Sequence, residues 1–286
     1  MDHLLCRAVD LTGIAQLSSF FPMLAIVDRL SPRRRLIKKL FHIWEGMINE
    51  RRESKGESIG AKSPHDFLSV LLSAEFSDPQ VNALLLDIFV AGTDTATTTI
   101  EWVMAELIKN KPILENLRSE LEREIGEDIV RESHLPHLHY LHACIKETQR
   151  LHPAVPLLVH EALQTCETMD CTIPKGCHVL VNVWAIGRDP ETWEDPLTFS
   201  PQRFIDSSMG YKGNDFKFIP FGEGRRSCPG VPLVNQIVPL ILASLIHSFE
   251  WSMPHGMDSG HLDMDEKFGL TLHKRHPLLL VPRARN

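Results

Sequence analysis

The stretch PFGEGRRSCPG, Pro220 to Gly230, holds three glycines, two prolines and two arginines around one cysteine, and its reading decides the fold. A thiolate is the nucleophilic and metal-binding form of cysteine. It is stabilised by neighbouring cations, by free backbone N–H groups in a glycine-rich turn, and by a helix N-terminus. All three are written here: Arg225 and Arg226 precede Cys228, Gly222 and Gly224 free the backbone, and Pro229 suits the first turn of a following helix. A single thiolate in such a loop serves either a nucleophilic enzyme or one metal as an axial ligand.

Spacing tests the rivals. GEGRRS lacks the third glycine of a dinucleotide loop, and no Gly-Lys-Ser/Thr follows for a phosphate loop. HEALQ at His160 has no second histidine four residues on, so it is not a zinc-protease helix. Cys166, Cys171, Cys177 and His178 are irregularly spaced and contain no C-x-x-C, which argues against a zinc site. His137, His139 and His142 are expected on an exposed helix face.

Upstream of the loop the chain reads as helices. RRRLIKKLFHIWEGMINERR puts Leu36, Ile37, Leu40, Phe41, Trp44, Met47 and Ile48 on one face, opposite a solvated basic face. SKGESIGAKS is a loop, and SPHDFLSVLLS opens a short helix with Ser63 as N-cap, Pro64 at the first position and Asp66 in the first turn. From Asp78-Pro79 to about Asn110 nothing stops a helix, which would run about 45 Å. KPILENLRSELERE begins another, and HLHYLHACIKETQRLHP ends where Pro153 forbids continuation.

Past Pro153 the texture changes to short β-like runs, VPLLV, CTIPKG and HVLVNVW. A long loop from Asp189 to Gly230 follows, then the helix VNQIVPLILASLIHSF and the tail FGLTLHKRHPLLLVP, read as a hairpin. The fold class is mainly α with small β-sheets, one domain over 1–286, with a helical part (1–153) and a β-rich part (154–286) that carries the cysteine loop and the last helix.

Two helical stretches are candidates for chemistry. AGTDTATTT places Gly92 and β-branched threonines in mid-helix, where Gly costs about 1 kcal/mol relative to Ala. Either a ligand presses on the backbone at Ala91 and Gly92, with Asp94 and Thr95 moving protons, or two helices cross there. KETQR puts Glu147 and Arg150 on one helix face at i and i+3, where they can pair; Arg203 in FSPQRF joins them if the long loop folds back.

Composition bounds the rest. In 286 residues, 43% hydrophobic, there is ample material for a buried core. A formal net charge of -7 excludes a general nucleic-acid binder. Six cysteines without a paired framework point to a reducing compartment. No apolar run approaches the roughly 20 residues of a membrane span, and MDHLLCRAVD has no basic n-region followed by an apolar h-region, so the chain is expected neither to span a membrane nor to enter the secretory route.

Together these motifs resemble the cytochrome P-450 family of haem-thiolate monooxygenases. FGEGRRSCPG is similar to its haem-binding signature through Phe221, Gly224, Arg226, Cys228 and Gly230; AGTDT to its oxygen-activation segment; ETQR to its E-x-x-R helix; and PQRF to its P-E-R-F loop, with Gln for Glu. NVWAIGRDP, DFKFIPFG and SLIHSFEW are further similar to plant members that oxidise monoterpenols such as geraniol, or benzylisoquinoline alkaloids such as N-methylcoclaurine.

The resemblance implies haem b ligated by Cys228, with Arg226 on a propionate, Phe221 and Gly230 beside the ligand, and an iron-thiolate centre that favours O–O cleavage. It implies Asp94 and Thr95 as the proton relay and Glu147, Arg150 and Arg203 as a structural network. Ala91, Gly92, Val155, Leu157 and Leu270 become walls of a pocket for a small apolar substrate. Electrons would come from NADPH through NADPH-cytochrome P-450 reductase, at the cytosolic face of the endoplasmic reticulum membrane.

The resemblance covers only the C-terminal part of a family member, little more than half, so an N-terminally truncated chain without membrane anchor is expected. Glu161 stands where relatives carry an Arg facing a propionate, and Val234 where a small Ala is usual. A fragment that holds no haem is the rival expectation; a haem-binding sensor without turnover is a third.

Overall fold

The computed structural model describes residues 32–57, 66–74, 76–205, 207–211, 215–254 and 258–285. Its packing divides between Asp94 and Thr95 into two compact bodies. In the first, helix α1 (Pro32–Glu57) buries Leu40, Trp44 and Ile48 with Leu71 of α2 (Phe67–Ser73) and Val81 and Leu85 of α3 (Asp78–Lys109). Met47, expected on the buried face, is exposed. The N-cap of α2 is Asp66, whose carboxylate accepts the Ser69 N–H at 2.8 Å and pairs with Arg51 at 2.6 Å. The Ser63 cap falls outside the described residues.

The second body takes the rest of α3 with α4 (Lys111–Ile125), α5 (His139–Leu151) and α7 (Val231–Ser248). Leu107, Leu117, Leu121, Leu138, Leu141, Val238, Leu242 and Ile246 form its core. Proline punctuation set these bounds: Pro112 occupies the first turn of α4, and α5 ends at Leu151, immediately before His152-Pro153. Buried Glu120 caps α5 by accepting the N–H groups of Tyr140 (2.7 Å) and Leu141 (2.9 Å) at that helix's positive end. His137 lies in a 3-10 turn (Glu132–His137), exposed like His139, whereas His142 is half-buried against the Leu135 carbonyl.

The β structure among the described residues is four antiparallel pairs. β1 (Leu157–Glu161) pairs with β4 (His178–Asn182), and β2 (Cys166–Thr168) with β3 (Cys171–Ile173). The run HVLVNVW does not continue as strand, because Asn182 caps a short helix α6 (Val183–Ile186). The tail hairpin differs from expectation. β6 (Glu266–Lys267) pairs with β7 (His273–Lys274), making FGLTL its tip, while β8 (Val281–Ala284) pairs with β5 (Phe249–Ser252) at the end of α7.

Helices α3 and α7 are long and apolar enough to cross a membrane by length and composition. This differs from the expectation that no apolar run is long enough: Asp87 and Asp94 break the run in α3, and Asn235 and Gln236 break it in α7. Both bury side chains in the second body, Trp102, Val103 and Leu107 from α3 and Val238, Leu242 and Ala243 from α7.

Candidate haem-ligand loop and its supports

The cysteine loop is a tight turn ahead of α7. Gly222 and Gly224 sit at φ of 72° and 78°, conformations that cost a side-chain-bearing residue energy, so the two glycines are required by the turn itself. The Cys228 N–H donates to the Phe221 carbonyl at 2.9 Å and the Ser227 N–H to Gly224 at 3.1 Å, closing the loop around a 3-10 turn (Gly224–Arg226). Phe221 is held edge-on by Tyr211, ring centroids 4.8 Å apart. Gly230 caps α7, so the first-turn proline is Pro232 and not the expected Pro229, which lies ahead of the helix.

The residues fit a haem. Cys228 is half-buried and free, the guanidinium groups of Arg225 and Arg226 are exposed beside it, and a side chain at Gly230 would sit 3.6 Å from the sulfur, space the glycine leaves open. Among the described residues no three His, Cys, Asp or Glu side chains converge on a metal position, so a multidentate site has no donor set here. Cys166, Cys171 and Cys177 are exposed and scattered along β2, β3 and a turn. Cys144 is buried, and burial pushes its thiol well above the ordinary cysteine value, which keeps it protonated and inert.

Glu147, Arg150 and Arg203 meet. Arg150 donates to both Glu147 oxygens at 2.7 Å, wholly buried, and Arg203 Nε reaches Glu147 Oε1 at 3.3 Å. Sequence reasoning missed the carbonyls that complete the arginine's donors: Pro196 at 2.7 Å, Thr198 at 3.2 Å and Gly187. The Ser200 N–H also binds Glu147 Oε1, at 2.8 Å. A fork of fixed N–H donors thus ties α5 to the segment 187–203, which is how so long a loop stays ordered. Trp193, Phe204 and Phe218 pack beneath it with Ala143.

Ala91, Gly92, Asp94 and Thr95 lie on α3, the first two exposed and the latter two half-buried. A Cβ on Gly92 would meet nothing within 4 Å, so the helix-crossing explanation of this glycine does not hold. The run of threonines is explained in part: Thr99 Oγ donates to the Thr95 carbonyl at 2.8 Å, and Thr98 Oγ bonds His273 at 3.0 Å. Val155 is half-buried; Leu157 and Leu270 are exposed at 44% and 53%. Glu161 ends β1, exposed, with His178 opposite it on β4. Val234 is half-buried and packs against the main core.

A second cluster was not foreseen. His152, just past α5, bonds Glu106 of α3 at 2.9 Å and Glu266 of β6 at 2.8 Å, while its ring stacks on Trp102, centroids 3.9 Å apart. Glu266 also accepts from Arg188 and from Trp184 Nε1, each at 2.8 Å. The two histidine bonds join residues 46 and 114 positions apart, so no local pattern announces the cluster. The one signal is a histidine wedged between the helix end and Pro153.

A sequence model of the family described as Cytochrome P450 matches residues 9–281. The chain belongs to the cytochrome P450 family. This P450 chain is 48% identical over 98% of its length to (S)-N-methylcoclaurine 3'-hydroxylase isozyme 2 of Eschscholzia californica, and 46% identical over its whole length to isozyme 1 of Papaver somniferum. It is 44% identical, again over its whole length, to berbamunine synthase of Berberis stolonifera. It spans 58%, 60% and 58% of those three relatives. Among solved structures, a zebra fish cytochrome P450 with progesterone superposes at a TM-score of 0.80 with 26% identity, covering 98% of this chain and 64% of that one.

Proposed function

We propose that this P450 chain is the haem-binding and oxygen-handling portion of a monooxygenase that hydroxylates a small apolar plant metabolite, a benzylisoquinoline alkaloid or a terpenoid. The observation that carries the reading is the lone half-buried Cys228 on a glycine-strained turn at the head of α7, flanked by two exposed arginines. Cys228 would ligate the iron, Arg226 would reach a propionate, and Phe221 would pack beside the ligand loop, the Gly230 position leaving room by the sulfur. Haem, when bound, supplies activation of dioxygen at an iron-thiolate centre.

The chain's own groups do the rest. The Asp94 carboxylate and the Thr95 hydroxyl hold and pass protons. Val155, Leu157 and Leu270 present apolar surface to the substrate, and Ala91 and Gly92 leave the α3 surface beside Asp94 open. Glu147, Arg150 and Arg203 keep the 187–203 segment in place behind the ligand loop. Electrons arrive singly from NADPH through its cytochrome P-450 reductase, docked on the Cys228 side, at the cytosolic face of the endoplasmic reticulum. The alkaloid class is drawn from the names of the relatives, two of the three above carrying hydroxylation of N-methylcoclaurine.

The exposure of Leu157 and Leu270 favours a second reading, in which this chain as it stands does not retain haem. One experiment separates the two. Residues 1–286 are expressed, loaded with haem, reduced and treated with carbon monoxide. A Soret band at the thiolate-ligated position, lost in Cys228→Ala, supports the first reading, as does haem protection of Cys228 against alkylation while Cys166, Cys171 and Cys177 still react. No haem uptake sinks it for this chain.

A further inference from the structure

The cluster around His152 does more than fill space. Glu106 Oε2 accepts from Asn110 Nδ2 at 3.0 Å, and the same amide nitrogen donates to the Glu106 carbonyl at 2.9 Å, which fixes its orientation. Glu266 Oε1 accepts from Arg188 and Oε2 from Trp184, both obligate donors. The imidazole of His152 thus spans two acidic side chains, Nε2 at 2.9 Å from Glu106 and Nδ1 at 2.8 Å from Glu266, with both ring nitrogens engaged. Arg188 lies over Trp184 (4.1 Å) and Lys274 over Trp102 (4.8 Å), so two cations face the same cluster.

These contacts sit at both ends of one loop. Glu266 opens β6, the register Glu266↔Lys274 and Lys267↔His273 closes the hairpin, and residues 268–272 form its tip. At the far end the Leu272 N–H donates to the Ala154 carbonyl at 2.9 Å, and the Leu272 carbonyl accepts from Trp102 Nε1 at 2.8 Å. The His273 ring adds bonds to Thr98 (3.0 Å) and Thr271 (2.6 Å). His152 therefore grips Glu266 directly and Leu272 through the stacked Trp102, and stands two residues before Ala154 itself.

A buried ionic cluster adds little net stability over well-packed apolar groups, but it does impose one geometry. We infer that His152 is a positioning residue for substrate: the bonds of its two ring nitrogens set the register of the 268–272 tip against the segment 154–157, and so the spacing of Leu270 from Val155 and Leu157. The inference rests on the reading of those three residues as pocket walls.

The test uses the full chain and two variants: His152→Phe, which keeps a ring for Trp102 and loses both ring-nitrogen bonds, and the milder Glu266→Gln, which keeps the side-chain volume. Amide hydrogen exchange needs no haem. It should accelerate at Leu272 and its neighbours by about tenfold or more, as expected for losing a charge-assisted bond, while the β1–β4 amides stay unchanged. In haem-loaded protein the Kd for (S)-N-methylcoclaurine, read from the substrate-induced Soret shift, should rise with the carbon monoxide spectrum unaltered. Unchanged exchange at the tip, or acceleration spread evenly over the molecule, overturns the clamp. Local acceleration with an unchanged Kd overturns the positioning role. A native protein that gives no Soret shift with this probe defeats the substrate reading instead, and leaves exchange to decide the clamp.

Discussion

Gly187 and Gly92 make opposite demands on the same absent side chain. A Cβ at Gly187 would lie 2.1 Å from the Arg150 carbonyl oxygen and 3.1 Å from its carbon, backbone that cannot yield without moving the end of α5. Gly187→Ala should therefore destabilise by at least the roughly 1–3 kcal/mol of an overpacked site, seen as a lower urea midpoint. Gly92 is exposed in mid-helix, and a Cβ placed there would meet nothing within 4 Å, so the fold does not require it. Gly92→Ala should leave the midpoint equal or higher, by up to about 1 kcal/mol of helix propensity, and weaken substrate binding in the haem-loaded protein. A destabilised Gly92→Ala, or one that binds the probe as well as native, would remove Gly92 from the pocket.

At the scale of elements, the β6–α5 junction carries a pH dependence. Burial pushes the Glu266 carboxyl up, but the bonds from His152 and Trp184 and the charge of Arg188 outweigh it and leave it below the ordinary carboxylate value. A depressed carboxyl contributes stability above its unfolded value, about 4.3, that is lost as pH falls through the lower folded value. Urea midpoints of the native chain should fall from pH 5 to pH 3, and Glu266→Gln should flatten that part of the decline while lowering the midpoint at pH 7. An equal acid decline in both proteins would place the responsible carboxylate elsewhere. The same junction explains what could be read in advance. The bounds of α3, α4 and α5 were legible because Asp78-Pro79, Pro112 and Pro153 act on their own neighbours. The two-residue strands β6 and β7 were not, because their pairing depends on Glu266 and Leu272 meeting residues of α3 and the end of α5 more than a hundred positions away. The tight turn around Cys228 was legible through Gly222 and Gly224; the carbonyls on Arg150 were not, since any residue supplies a carbonyl.

Over the molecule as a whole, the β1–β4 pair presents an unusual surface. Val159 and Leu180 are Cα partners across it, exposed at 64% and 59%, with Leu157 two residues along on the same face. Among the described residues no further strand pairs with either outer edge of this sheet, and an apolar face beside open edges is a template for another copy. The purified chain should therefore associate with rising concentration in sedimentation velocity. Replacing both residues, Val159→Thr with Leu180→Thr, puts β-branched strand formers at both positions and removes the apolar pair, so association should weaken while unfolding shifts by no more than about 0.5 kcal/mol per surface site. Because Cys228 lies in a different loop, haem uptake by the double variant should match native. If association is as strong in the double variant, this face is not its cause; if haem uptake falls with it, the sheet and the ligand loop are coupled through Leu158, whose methyl would stand 3.6 Å from a Cβ at Gly222.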